Sequence, residues 1–303
     1  MQRKLAKIGP STLMISIPSA WAKEHQLKKG DAVNITTEGK TLTINLEDKK
    51  KEKTIIINAE NLDTMLNRTI GACYKKGYTT IKILFPDHAH LIKHYDSITQ
   101  SWTGMEVLEQ TPTTITLRQI SPLQEETYES VLNRTFLFLI ATSQEAYEAA
   151  KNNDQENLYH ITQRDKTQNK YCDICRRILN TNHINNSNAH YYIVEQLERL
   201  GDIYRDLSKH LSTNKTAMNK EHLALYQVIN SYLQELYHLH NKFNHTNYEH
   251  FGTTRKKLLT QLQTTQEKAN KQETHHLNYF AMLIENIFDT NGTEAIINLQ
   301  EQE

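Results

Sequence analysis

Leu197-Glu198-Arg199-Leu200-Gly201-Asp202 recurs at residues 284–289 as Ile284-Glu285-Asn286-Ile287-Phe288-Asp289. Each copy reads apolar, Glu, any, apolar, any, Asp. The first copy opens a heptad-like run, Leu197, Leu200, Tyr204, Leu207 and Leu211, that marks one face of a long helix. The two copies lie about half of the carboxy-terminal region apart, which predicts two three-helix repeats. Outward from them, apolar periodicity predicts six helices over 122–152, 154–180, 186–212, 219–243, 247–271 and 273–298. The breaks fall at Asn-rich stretches such as Asn180-Thr181-Asn182 and Asn185-Asn186-Ser187-Asn188. Ser121-Pro122-Leu123-Gln124 reads as the capping box of the first helix. These lengths suit antiparallel bundles.

Proline marks where the helices begin. Pro10, Pro18, Pro86, Pro112 and Pro122 are the only prolines, so residues 123–303 contain none. Proline is excluded from helix interiors and favoured in turns. The first 120 residues therefore read as α/β with many turns. Within them, residues 1–48 read as a small β-rich module. Lys4–Ile8 and Leu13–Ile17 are short strands, Ser19–Gln26 is a helix opened by Pro18, and residues 33–36 and 42–46 form a hairpin. So short a module lacks room for a comfortable core, and dimerisation or domain contact is expected. Asp48-Lys49-Lys50-Lys51-Glu52-Lys53 reads as a solvated linker. Residues 54–120 follow the order β-α-β-α-β-β. Strands are expected at 54–57 and 80–85, helices from Asn58 or Asn61 to Lys76 and from Asp87 to about Trp102, and a hairpin at 105–109 and 113–120. That order predicts two helices on one sheet.

Charge is segregated although the total is zero. Residues 1–53 carry 11 basic and 6 acidic side chains, residues 54–121 carry 6 and 6, and the remainder carries 18 and 23. Arg3, Lys4 and Lys7 lie on the first strand and its turn, with Lys23 on the following helix. In a dimer these would double into one surface able to neutralise phosphates. No aromatic platform accompanies them, which disfavours single-stranded RNA. Glu198 with Asp202, and Glu285 with Asp289, sit four apart on a helix face, where like charges repel unless a cation compensates. Carboxylate clusters of this kind suit Mg, Ca, Mn, Fe or Zn. An acidic face paired with Arg or Lys is the plainer alternative.

Other chemistry is absent from the pattern. No phosphate loop, HExxH or Ser-His-Asp order is present, and no enzyme is expected. Cys172-Asp173-Ile174-Cys175 is a single CxxC in helical context, without the partners of a zinc site or the βαβ setting of a redox motif, and reads as incidental. Three cysteines, no secretory h-region and no membrane-length apolar run point to a cytoplasmic chain without membrane insertion.

Two segments together resemble known families. Arg3-Lys4-Leu5-Ala6-Lys7-Ile8-Gly9-Pro10-Ser11-Thr12, Ile15-Ser16-Ile17-Pro18-Ser19-Ala20-Trp21 and Leu27-Lys28-Lys29-Gly30-Asp31-Ala32-Val33 resemble an AbrB/SpoVT-type swapped-hairpin domain. The helical region, through its two ExxxD motifs, is similar to PhoU proteins. The joined order resembles archaeal phosphate uptake regulators. The implied fold is α+β multidomain: a swapped-hairpin β domain (1–48), a small α/β domain (54–120) and an all-α pair of three-helix bundles (121–303). The resemblance implies a homodimer docking double-stranded DNA through Arg3, Lys4, Lys7, Ser11 and Lys23. It implies a divalent or trivalent metal ion at Glu198, Asp202, Glu285 and Asp289. Asp165-Lys166-Thr167-Gln168-Asn169 is the best match to the family's second-helix motif, which places Asp165 and Asn169 in the same set. The implied function is transcriptional control of phosphate uptake. The alternative is a PhoU-like adaptor acting on a phosphate transporter subunit or sensor kinase by protein contact.

Overall fold

The computed structural model describes residues 2–46, 52–120, 127–215 and 217–299. Residues 48–51 of the charged run and the whole Ser121–Gln124 box lie outside the described residues. The chain divides into two units, Met1–Glu52 and Lys53–Glu303.

The first unit has two hairpins and one short helix. β1 (Ala6–Ile8) pairs antiparallel with β2 (Thr12–Met14), and β3 (Val33–Glu38) with β4 (Thr41–Leu46). α1 spans Ser19–Glu24 behind Pro18, whose fixed φ suits a helix entrance. Gly9, Gly30 and Gly39 take positive φ in the turns. None of the described side chains of this unit is buried. Leu5, Ile8, Leu13, Met14, Ile15, Ile35 and Leu42 are all exposed, so the single chain forms no core here.

The second unit begins with a four-stranded sheet of order β5-β6-β8-β7. β5 (Thr54–Asn58) and β6 (Thr80–Leu84) are parallel and joined through α2 (Leu66–Lys75). α3 (His88–Thr99) follows β6, and β7 (Met105–Thr111) makes a hairpin with β8 (Thr114–Gln119), which pairs with β6. Ile81 and Ile83 alternate with less buried residues along β6 and join Leu66, Ile70, Leu91 and Ile98 in one core. α2 starts later than the sequence predicts. Asn58 accepts from Glu60 N at 3.1 Å, an Asx turn that competes with a helix cap. Asp87 does cap α3, accepting from His90 N at 2.8 Å.

The helical region comprises α4 (Tyr128–Lys151), α5 (Gln155–Thr181), α6 (Ser187–Asn214), α7 (Lys220–Asn241), α8 (His245–Lys268), α9 (Lys271–Asp289) and α10 (Asn291–Asn298). The sixth expected helix is thus divided at Thr290. Thr127, Asp154, Asn219 and Asn244 each cap a helix by accepting from the backbone N–H three residues on. At the Asn-rich break between α5 and α6, Asn186 precedes the helix in a left-handed conformation and makes no side-chain cap bond. The two sets of three, α4–α6 and α7–α9, pack against each other through α4 on α7 and α6 on α9, around one apolar core. Gly201 lets α5 approach α6, since a Cβ there would lie 3.0 Å from Gln168 Cγ.

Candidate nucleic-acid interface and acidic helical site

Arg3, Lys4, Lys7, Ser11 and Lys23 are all exposed. Lys7 lies on β1 opposite Leu13, Ser11 lies in the β1–β2 turn, and Lys23 lies in the last turn of α1. Around them the apolar side chains face solvent. A positively charged surface over unburied apolar strands is what an intertwined dimer would convert into a closed core with basic residues outside.

The acidic residues occupy a different environment. Glu198 of α6 pairs with Arg176 of α5, whose side chain is 3% exposed. Arg176 also meets Glu195 at 2.6 Å and Asp173 at 3.1 Å. Burial pushes the Glu198 carboxyl above its ordinary range, and Arg176 opposes that shift. Asp202, one turn on, pairs with Arg205 at 2.5 Å. The same guanidinium reaches Asp165 at 3.1 Å and Asp206 at 3.0 Å. Asn169 donates to Asp165 Oδ2 at 3.2 Å. In the second repeat Arg255 holds Glu285 through Nε at 3.0 Å and Nη2 at 2.7 Å, while Asp289 is exposed. Sequence spacing thus places each Glu and Asp on one face, and three arginines supply the compensating charge. The plainer alternative, an acidic face paired with Arg or Lys, therefore holds for Glu198, Asp202 and Glu285. The sequence pattern names no particular arginine, although Asp202 and Arg205 stand at i,i+3.

Among the described residues, none of Asp165, Glu198, Asp202, Glu285 and Asp289 belongs to a group of three His, Cys, Asp or Glu ligand atoms lying within 4.8 Å of one another. The donor chemistry still differs between the repeats. In the first, Asp165 Oδ1, Gln168 Oε1 and Asn169 Oδ1 are buried without a hydrogen-bond partner. Burial pushes the Asp165 carboxyl up, countered by Arg205. Asp165 and Gln168 line a cavity of about 10 Å³ with Thr142, Gly201 and Arg205, room for one water or one ion at most. Unpartnered oxygens of this type fit a hard cation. In the second repeat Arg255 donates twice to Glu285 Oε2 and Asp289 is exposed, an arrangement that does not fit one. A larger cleft of about 530 Å³ opens beside the first repeat, lined by Asp96, Gln100, Trp102, Lys166, Asn169 and Lys170.

The cysteines are core thiols. Cys172 and Cys175 are free and buried, and burial pushes the Cys175 thiol up to about 12. Neither offers a thiolate at neutral pH.

Residues 7–55 match the family model for MazE, the bacterial antitoxin of antidote-toxin recognition. The amino-terminal segment is therefore similar to MazE/AbrB-type domains. The helical part has structural likenesses among solved proteins. A PhoU-like phosphate regulatory protein from Shewanella oneidensis MR-1 is 9% identical, covering 55% of this chain and 96% of that one, with a TM-score of 0.39. A second PhoU-like protein from the same organism is 10% identical, covering 56% and 95%, with a TM-score of 0.35. Likenesses this distant carry no functional weight. No curated protein matches the chain. No helix among the described residues is long and apolar enough to cross a membrane.

Proposed function

We propose that this chain is a transcription regulator that dimerises through its amino-terminal unit and docks on double-stranded DNA. One observation carries the reading: the unit similar to MazE/AbrB-type domains buries none of its described side chains, yet is rich in Leu, Ile and Met. Apolar strands exposed in this way require a partner, and a second copy of the same unit is self-complementary. Association leaves Arg3, Lys4, Lys7, Ser11 and Lys23 for phosphates. The helical unit would then act as the sensor, with control of phosphate uptake as its output. Asp165, Gln168 and Asn169 would hold a hard cation in the first repeat, where Arg205 now neutralises Asp165 and Asp202.

The test pairs sedimentation equilibrium with duplex binding by the full chain. The reading expects a dimer whose DNA affinity is lost in an R3Q/K4Q/K7Q variant that remains dimeric. A monomeric chain, or DNA binding unchanged in that variant, contradicts it.

The second reading is an adaptor that restrains a transporter subunit or sensor kinase by contact. It is favoured by the charged and amide-lined cleft between α3 and α5. Under it the triple variant keeps phosphate control in cells, and substitutions in the cleft abolish it.

A further inference from the structure

We propose that Asp63, His90 and His94 form a binding site for one divalent transition-metal ion of the zinc class, outside the acidic helical site. One ring nitrogen from each histidine and one Asp63 oxygen lie within 4.8 Å of one another. Among the described residues this is the only such group of three.

The fold builds it from two places. His90 and His94 are one turn apart on α3, so both imidazoles leave the same face. The Asp87 cap fixes the first turn through His90 N, and buried Leu91 and Ile98 fix the helix to the sheet. Asp63 arrives from the β5–α2 connection and pairs with His94 Nε2 at 2.8 Å. The rings of His90 and His94 stand 5.1 Å apart. His90 Nε2 is buried without a hydrogen-bond partner, a state that buried polar atoms rarely keep.

The donor set selects the ligand. Two imidazoles and a carboxylate favour Zn, Co, Ni or Cu over Mg or Ca. His at i and i+4 is a spacing found in zinc sites, and three protein ligands leave a position open to water. Lys93 Nζ sits 2.7 Å from both Asp63 oxygens and is the competing cation. Its side chain is 58% exposed, and an exposed ion pair of this type is weak, so a coordinated metal displaces it. The bound ion would tie the β5–α2 connection to α3.

The test is titration of the metal-free full chain with Co²⁺, followed by visible d–d absorption and back-displacement with Zn²⁺. One equivalent is expected in the parent protein. H90Q/H94Q should weaken it roughly tenfold or more, with unchanged far-ultraviolet dichroism. The single variants serve in its place where the double variant does not fold. K93M should tighten binding several-fold, because the competing ammonium is gone. No cobalt uptake by the folded parent at millimolar metal overturns the site. So does equal uptake by H90Q/H94Q, or weaker uptake by K93M.

Discussion

Arg177 of α5 is joined to Tyr74 of α2 twice: its guanidinium donates to the Tyr74 carbonyl, and its Cζ lies 4.7 Å from the centre of the Tyr74 ring. The same group donates to Tyr78 O at 3.0 Å and Gln119 Oε1 at 2.9 Å. One buried side chain thereby satisfies the end of α2, the turn after it and the end of β8. Asn180 adds a bond to Lys75 O at 3.0 Å. These bonds fasten the α/β segment to the helices and explain why the two form one unit.

Replacing Arg177 by Met leaves those acceptors unpaired while keeping bulk. The loss should be about 3 kcal/mol, since charged hydrogen bonds are replaced by orphaned acceptors. Trp102, 5.7 Å from Tyr74, reports it by fluorescence in a Trp21→Phe background. A midpoint shift in urea is expected, and a variant within about 0.5 kcal/mol of the parent, the ordinary range of surface changes, sinks the clamp.

Gly77 ends α2 at φ +87°, and a Cβ there would lie 2.4 Å from Thr181 Cγ2 of α5. Gly77→Ala therefore meets both left-handed strain, about 1–2 kcal/mol, and a clash. Adding Thr181→Ser removes the methyl and should recover the clash but not the strain. Equal stability of the single and double variants would show that α5 does not approach so closely.

His276 is buried and bonded through Nε2 to His222 Nδ1 at 2.8 Å. Burial, then the charge of His222, holds it down at about 4. An unfolded histidine titrates near 6.5. Between about pH 6.5 and 4 the unfolded chain binds the extra proton, so stability is full above this window and falls as pH drops through it. The loss from this group is roughly 3 kcal/mol. His276→Gln keeps a polar group but does not titrate, and should flatten the curve. Parallel curves for both proteins would remove His276 from the account.

The amino-terminal basics should set the salt dependence of DNA binding. Removing one lysine–phosphate pairing lowers the slope of log K against log salt by about 0.9. Lys7→Gln should reduce it by about two in a dimer, while weakening all sequences alike. An unchanged slope would place Lys7 away from the phosphates.

The long helices are legible because apolar period, Asn caps and absent prolines agree along them. The division at Thr290 is signalled only by the Asn291-Gly292 dipeptide beside it, and Thr290 itself keeps helical angles, so apolar period alone reads straight through it. The start of α2 is ambiguous in the sequence because Asn58 offers the same side chain to a cap and to an Asx turn. The acidic motifs are visible, and so is Arg205, one turn from Asp202 on the same helix; Arg176 and Arg255 come from neighbouring helices, a tertiary fact. Asp63 with His90 and His94 is hidden for the same reason: α3 returns across the β5–α2 connection only after folding. The exposed apolar strands of the first unit follow from its length, which the sequence does show.

The most direct test is selection of fragments from the source genome by the full chain at about physiological salt, where weak non-specific binding is suppressed. A dimeric regulator predicts enrichment of a few upstream sequences with a repeated half-site, lost in R3Q/K4Q/K7Q. A folded protein that enriches nothing contradicts the regulator and leaves the adaptor.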